Sequence, residues 1–188
     1  MSILDKLVAT IAPPESDEDR ATARAEAERV AQRHAWLREA LQHHRQIEAA
    51  FEEARQSPDA AMRTRAAKQL AIVLNGHAQA EETVLYPALA EHSEKAHAGM
   101  AYEEQQMTKV QMAMLEKLDP MSREWLDKLD HIRGAVLHHV YQEESNWFLD
   151  LADKCKPEES LMLAQRFQEE YHRYAGGNRL EEPVSQIA

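Results

Sequence analysis

Glycine is scarce in this chain, five residues in 188, and Phe and Trp number three each. No glycine-rich loop is present to cradle a phosphate, and no glycine-flanked serine suggests a nucleophile. A single cysteine, Cys155, excludes an internal disulfide and fits a reducing compartment. It stands between Lys154 and Lys156 with no evident base beside it. No apolar run approaches the roughly 20 residues needed to span a bilayer. The segment from Met1 to Ile11 lacks a basic flank and a continuous apolar core, so no secretory signal is expected and a cytoplasmic location is. Positive charge is in deficit: 22 Lys and Arg against 33 Asp and Glu leave a formal charge of −11. That sign opposes general affinity for nucleic acid or anionic membranes. What abounds is Ala, Glu, Gln, Leu and Met, the composition of an all-helical chain large enough for one full core.

The pattern along the chain supports that class. Ile3, Leu4, Leu7, Val8 and Ile11 form an apolar face that Pro13 and Pro14 end, read as an arm docked on the body of the protein. Ser16 to Asp19 resembles a capping box with Asp in the Glu position. It opens a helix expected to run to about Gln56, polar through Gln32 and amphipathic from Trp36. Further long helices are expected over about 60–91, from beyond His97 to about Leu118, and over about 123–154. A shorter one starts at Pro157 and stops at Gly176-Gly177. The predicted architecture is an antiparallel up-down-up-down four-helix bundle with an N-terminal arm and a short C-terminal accessory helix. Its divisions are 1–33 for the arm and polar extension, 34–155 for the bundle, and 156–188 for the accessory helix and tail.

A duplicated motif carries the chemistry. His77-Ala-Gln-Ala-Glu81-Glu82 returns sixty-two residues later as His139-Val-Tyr-Gln-Glu143-Glu144. Each copy sets a His and a Glu one turn apart on one helical face. Aliphatic residues precede each His by three (Leu74, Val136) and by seven (Leu70, Ile132), and a large one follows by eight (Leu85, Trp147). The polar pair therefore belongs to the buried stripe. A buried ionised Glu needs a compensating charge, and two such pairs face to face find it in metal ions. In the first bundle helix His44 is centred on the stripe of Leu37, Leu41, Ile47 and Phe51, with His43 ranked second and Glu48 one turn beyond. His34, His92, His131 and His172 read as solvated, His97 as a loop residue, and His138 as a flank of the stripe.

The segments HHRQIEAAF, HAQAEETVLYPAL and HHVYQEESNWFLDL resemble the hemerythrin-like, or HHE cation-binding, family over about residues 35–152. The resemblance implies a four-helix bundle holding two non-haem Fe ions, oxo- or hydroxo-bridged, with His44, His77, Glu81, His139 and Glu143 as ligands and the two carboxylates bridging. Glu82 and Glu144 are then outside the ligand set. The family's His on the third helix is missing: by motif alignment Gln105 takes its place. A stripe of Met100, Met107, Val110, Met114 and Leu118 instead turns Gln105 about 160° from the core and brings Glu103 and Glu104 toward it. Glu104 is the expected substitute ligand, with Glu103, Tyr102 and Gln105 as alternatives.

The expected metal set is thus His44, His77, Glu81, Glu104, His139 and Glu143, with Glu48 as an addition. Extra carboxylate favours the ferric state over reversible oxygen carriage. The expected function is a di-iron protein reacting with O2, peroxide or nitric oxide, with oxidase or peroxide-scavenging turnover left open. The alternative is an O2- or iron-sensing or iron-storing module without turnover, and a bundle without metal is the third class. Zn or Mn also suits such a donor set. No nucleic acid or membrane partner is expected, and a homodimer through the accessory helices is compatible with the pattern.

Overall fold

The computed structural model describes residues 15–92 and 95–176, all of its regular structure helical. The expected arm at residues 3–11 and the tail from Asn178 lie outside the described residues. Helix α1 is Asp17–Ala31, α2 is Ala35–Gln56, and α3 is Ala60–Ala80. Helix α3 passes through a π turn, Glu81–Leu85, and continues over Tyr86–His92. Helix α4 is Lys95–Leu115, and α5 is Arg123–Gln142, again followed by a π turn, Glu143–Trp147, and by Phe148–Lys154. Helix α6 is Pro157–Ala175.

The helix starts follow local chemistry. The Ser16 hydroxyl accepts from the Asp19 amide while Asp19 Oδ2 accepts from the Ser16 amide at 3.0 Å, a capping box built with Asp. Asp59 and Ser122 accept from Met62 and Trp125 amides to open α3 and α5, and Pro157 stands in the first turn of α6. The expected continuous helix to Gln56 is instead two, broken at Gln32 to His34, with His34 extended. The break lets α1 pack against α2. Its buried residues are Ala23, Ala27 and Ala31, a face too small-chained to stand out as apolar in the sequence.

Helices α2 and α3 pack along each other, α4 packs against α5, and α6 lies across α2 and α3. The apolar core is in two parts. One gathers Trp36, Leu37, Leu41, Leu85, Leu89, Phe148 and Phe167. The other gathers Ile47, Phe51, Leu70, Leu115, Trp125, Leu129 and Ile132. A polar layer separates them, and each of α2, α3, α4 and α5 crosses it once.

Helix α4 corrects the expected register. Met100, Met107, Val110 and Met114 are exposed, whereas Ala98, Ala101, Gln105, Met112 and Leu115 are buried at helical spacing. Methionine hydropathy misleads here. The face meeting the core is made of alanines, which let the helix approach closely, and Gln105 stands between them and Met112.

Candidate metal centre

His44 on α2, His77 on α3 and the carboxylates of Glu81 and Glu143 meet at the centre of the polar layer. Their ligand atoms lie within 4.8 Å of one another, and all four residues are buried. The Glu143 Oε2 to His44 Nε2 distance is 3.3 Å, and His77 Nε2 is 3.1 Å from Glu81 Oε1. Both carboxylates belong to the first turn of a π segment. A π turn inserts one residue into the helix and is common at functional sites. Here it carries Glu81 and Glu143 inward while the helix beyond returns to its buried face.

The four inward atoms fit a cation. His44 Nε2, His77 Nε2, Glu81 Oε1 and Glu143 Oε2 are all buried without a hydrogen-bond partner. Such atoms are costly unless something charged satisfies them. Two imidazoles and two carboxylates form a mixed donor set suited to iron, zinc or manganese.

Electrostatics separate the roles of the four. Burial opposes charge on His44, but the nearby carboxylates of Glu143 and Glu144 outweigh it and raise its pKa to about 9. Burial and the neighbouring His44 charge hold His77 well below its ordinary value. Burial, reinforced by the Glu143 charge, raises Glu81 well above the carboxylate range. Glu143 is held low against the same burial by His139 and His44. The layer thus favours the charged imidazole at His44 and disfavours the carboxylate at Glu81, and a cation would compete with protons for these groups.

Support comes from α1. His44 Nδ1 is 2.8 Å from Glu144 Oε1, and Glu144 accepts from Arg24 Nε at 3.1 Å and Nη2 at 2.9 Å. This arrangement fixes the His44 ring with Nε2 inward. Arg24 also donates to Glu48 at 2.6 Å. Glu48, expected as an additional ligand, is paired with Arg24 of α1 and is not among the four residues of the central group. Glu144 is buried beneath the site.

The opposite face is built differently. His139 Nε2 is 3.3 Å from Glu143 Oε1, and its Nδ1 is 2.7 Å from Glu104 Oε2. Burial opposes the His139 charge, but Glu143 and Glu104 raise its pKa well above the usual value. Glu104 thus reaches the site through the far side of His139 and lies outside the four-donor group; Glu103 is exposed. Tyr102 donates to the Glu82 carbonyl. Gln105, expected to face away, points in, its Nε2 donating to Glu81 Oε2 and to the Tyr86 oxygen at 2.6 Å each. The Tyr86 hydroxyl lies 2.9 Å from Glu143 Oε1, 3.2 Å from Glu81 Oε2 and 3.1 Å from His139 Nε2. Burial and the two carboxylates raise its pKa, which favours the phenol in the metal-free chain.

His43 is buried against α6, its ring 3.9 Å from Tyr171 and 5.4 Å from Phe167, and burial lowers its pKa to about 2. It stays neutral and outside the central group. The outer histidines expected to be solvated differ among themselves. His34 meets Ser160 and His92 meets Glu159, whereas His131 and His172 are exposed. His138 meets Glu15.

Tyr86 was absent from the expected site and the methionine stripe turned Gln105 outward, although both positions are visible in the repeat. Tyr86 follows His77 by nine residues, as Phe148 follows His139. Gln105 precedes His139 by thirty-four, close to the thirty-three between His44 and His77.

The helices and the buried His/Glu layer define an all-helical cation-binding domain. A family model described as hemerythrin HHE cation binding domain matches residues 26–151, and the chain belongs to that family. A "DNA nickase" of Nostoc sp. (strain PCC 7120) is 28% identical over 124 residues, which is 66% of this chain and 35% of that protein. The chain thus spans about a third of the length of that relative. No solved structure matches. No helix among the described residues is long and apolar enough to cross a membrane.

Proposed function

We propose that this chain is a hemerythrin-type iron protein. It uses an antiparallel up-down-up-down bundle of α2, α3, α4 and α5 to present iron to O2, peroxide or nitric oxide. The observation that carries the reading is the set of four buried, unpartnered donor atoms on His44, His77, Glu81 and Glu143. Bound iron would supply one-electron chemistry toward such small ligands. The chain's own residues do the rest. Glu144 and Arg24 orient His44. The Glu104 carboxylate holds His139 Nδ1. Leu74, Met112 and Val136 help wall a cleft that reaches His77, His139 and Gln105, and its apolar lining favours small uncharged ligands over ions. A second iron would draw on His139 together with Glu81 and Glu143, the groups that surround the Tyr86 hydroxyl.

The activity in the Nostoc protein's name is not carried over: the shared stretch is a minor part of that protein, and a formal charge of −11 opposes a polyanion. The test is elemental analysis of protein expressed with iron, followed by rapid mixing with peroxide and with nitric oxide under visible absorption. Iron that changes its spectrum on mixing supports the reading. A spectral change without turnover would favour sensing or storage, and protein that takes up no metal would end it.

A further inference from the structure

The two halves of the polar layer share the duplicated His/Glu motif and differ at two positions that face the carboxylates. On one side stand His44 and His77, with Glu81 Oε1 and Glu143 Oε2 between them. On the other stand Gln105 and His139, with Glu81 Oε2 and Glu143 Oε1. The residue nine beyond the motif His also differs. On the first side it is Phe148, whose ring stacks 6.4 Å from His44 and offers no polar atom. On the second it is Tyr86, whose hydroxyl lies within 3.2 Å of both carboxylates and of His139 Nε2.

The consequences for hydrogen bonding are opposite. All four donor atoms of the first side lack a hydrogen-bond partner and only face one another, His44 Nε2 at 3.3 Å from Glu143 Oε2 and His77 Nε2 at 3.1 Å from Glu81 Oε1. On the second side Glu81 Oε2, Glu143 Oε1 and His139 Nε2 are all engaged, by the Tyr86 hydroxyl and the Gln105 amide, and Gln105 Oε1 is the atom left without a hydrogen bond. Gln105 Nε2 spends both of its hydrogens there, one on Glu81 and one on the Tyr86 oxygen. A cation arriving on this side would have to displace a fully bonded phenol and would gain no fourth imidazole, since an amide is a poor ligand for such ions. Burial adds to the difficulty: Tyr86 is completely enclosed and Gln105 nearly so, which leaves the hydroxyl little room to withdraw.

We propose that the chain holds one cation, on the His44/His77 side, and that Tyr86 and Gln105 close the second position that the family pattern provides. This rests on the reading that the His/Glu layer binds a cation at all, and it departs from the expected pair of irons. Glu81 and Glu143 then serve one cation through one oxygen each, and their remaining oxygens anchor the phenol and amide.

The experiment is a titration of chelator-stripped protein with Co(II), read by visible absorption, beside iron analysis of the iron-loaded protein. One equivalent is expected in both. The double variant Tyr86→Phe, Gln105→His makes the second side a copy of the first and is expected to raise uptake to two equivalents. Two further variants locate the cation without relying on that one folding: His77→Gln is expected to abolish uptake, and His139→Gln to keep one equivalent, each with helical content checked by circular dichroism. Two equivalents in the unaltered chain would overturn the proposal and leave the iron-protein reading intact. Loss of the cation in His139→Gln would overturn its placement. No uptake in the unaltered chain would overturn both.

Discussion

At the scale of single residues, the site depends on groups one step removed from it. Glu144 holds His44 Nδ1 and is itself held by Arg24. Glu144→Gln keeps the shape but removes the charge that makes His44 a strong donor. Metal affinity, measured by competition with a chelator, is expected to fall about 10- to 100-fold. Protonation gives a second prediction. Folding raises the His44 pKa from 6.5 to about 9, so its stabilising effect is complete below about 6.5 and is lost as pH climbs toward 9. Glu81, raised well above 4.5, acts in the same direction, because its ionisation at higher pH is disfavoured in the folded chain. Glu143, held low, works the other way, and its contribution is lost only in acid. Thermal melts of chelator-stripped protein should therefore show the midpoint falling between pH 6.5 and 9. Metal-loaded protein, in which the cation replaces the His44 proton, should lose the His44 share of that decline and keep the share that His139 carries. His44, His77, Glu81 and Glu143 were legible in the sequence because ionisable groups at fixed spacing inside an apolar stripe are costly unless they bind a charge. Gln105 and Tyr86 were harder to read. An amide and a phenol gain their meaning from what they touch, and those partners lie mostly on other helices.

At the scale of elements, long helices follow from composition and caps, and the capping box at Ser16 and the starts at Asp59 and Ser122 could be read directly. Two features could not. The paired π turns leave the downstream face buried, so a helical pattern of apolar residues passes through them with only a one-residue slip. The packing of α6 depends on Gly76, where an added Cβ would stand 3.3 Å from both the Ala175 Cβ and the Tyr171 ring. That close approach brings Tyr171 and Phe167 over His43 and Phe167 beside His77. Gly76→Leu should push α6 away and cost about 1–3 kcal/mol in denaturant unfolding. Faster amide exchange in α6 is expected with it.

At the scale of the whole molecule, two apolar clusters carry the fold and the polar layer is a seam between them. Removing metal should therefore leave a helical, cooperatively melting protein. Adding it at a hundredfold excess over its dissociation constant should stabilise the fold by about 2.7 kcal/mol. For a chain of this size that raises the melting midpoint by roughly 5–10 °C, which calorimetry would detect. The seam reaches the surface at two corners of different chemistry. At one, His44 leads to Glu144 and then to Arg24, a guanidinium that gives up no proton. At the other, His139 leads to Glu104, a carboxylate about a third exposed. Seen as a circuit, the first corner is a fixed terminal, closed by a guanidinium between two carboxylates, whereas at the second a single partly exposed carboxylate stands one imidazole away from the buried layer.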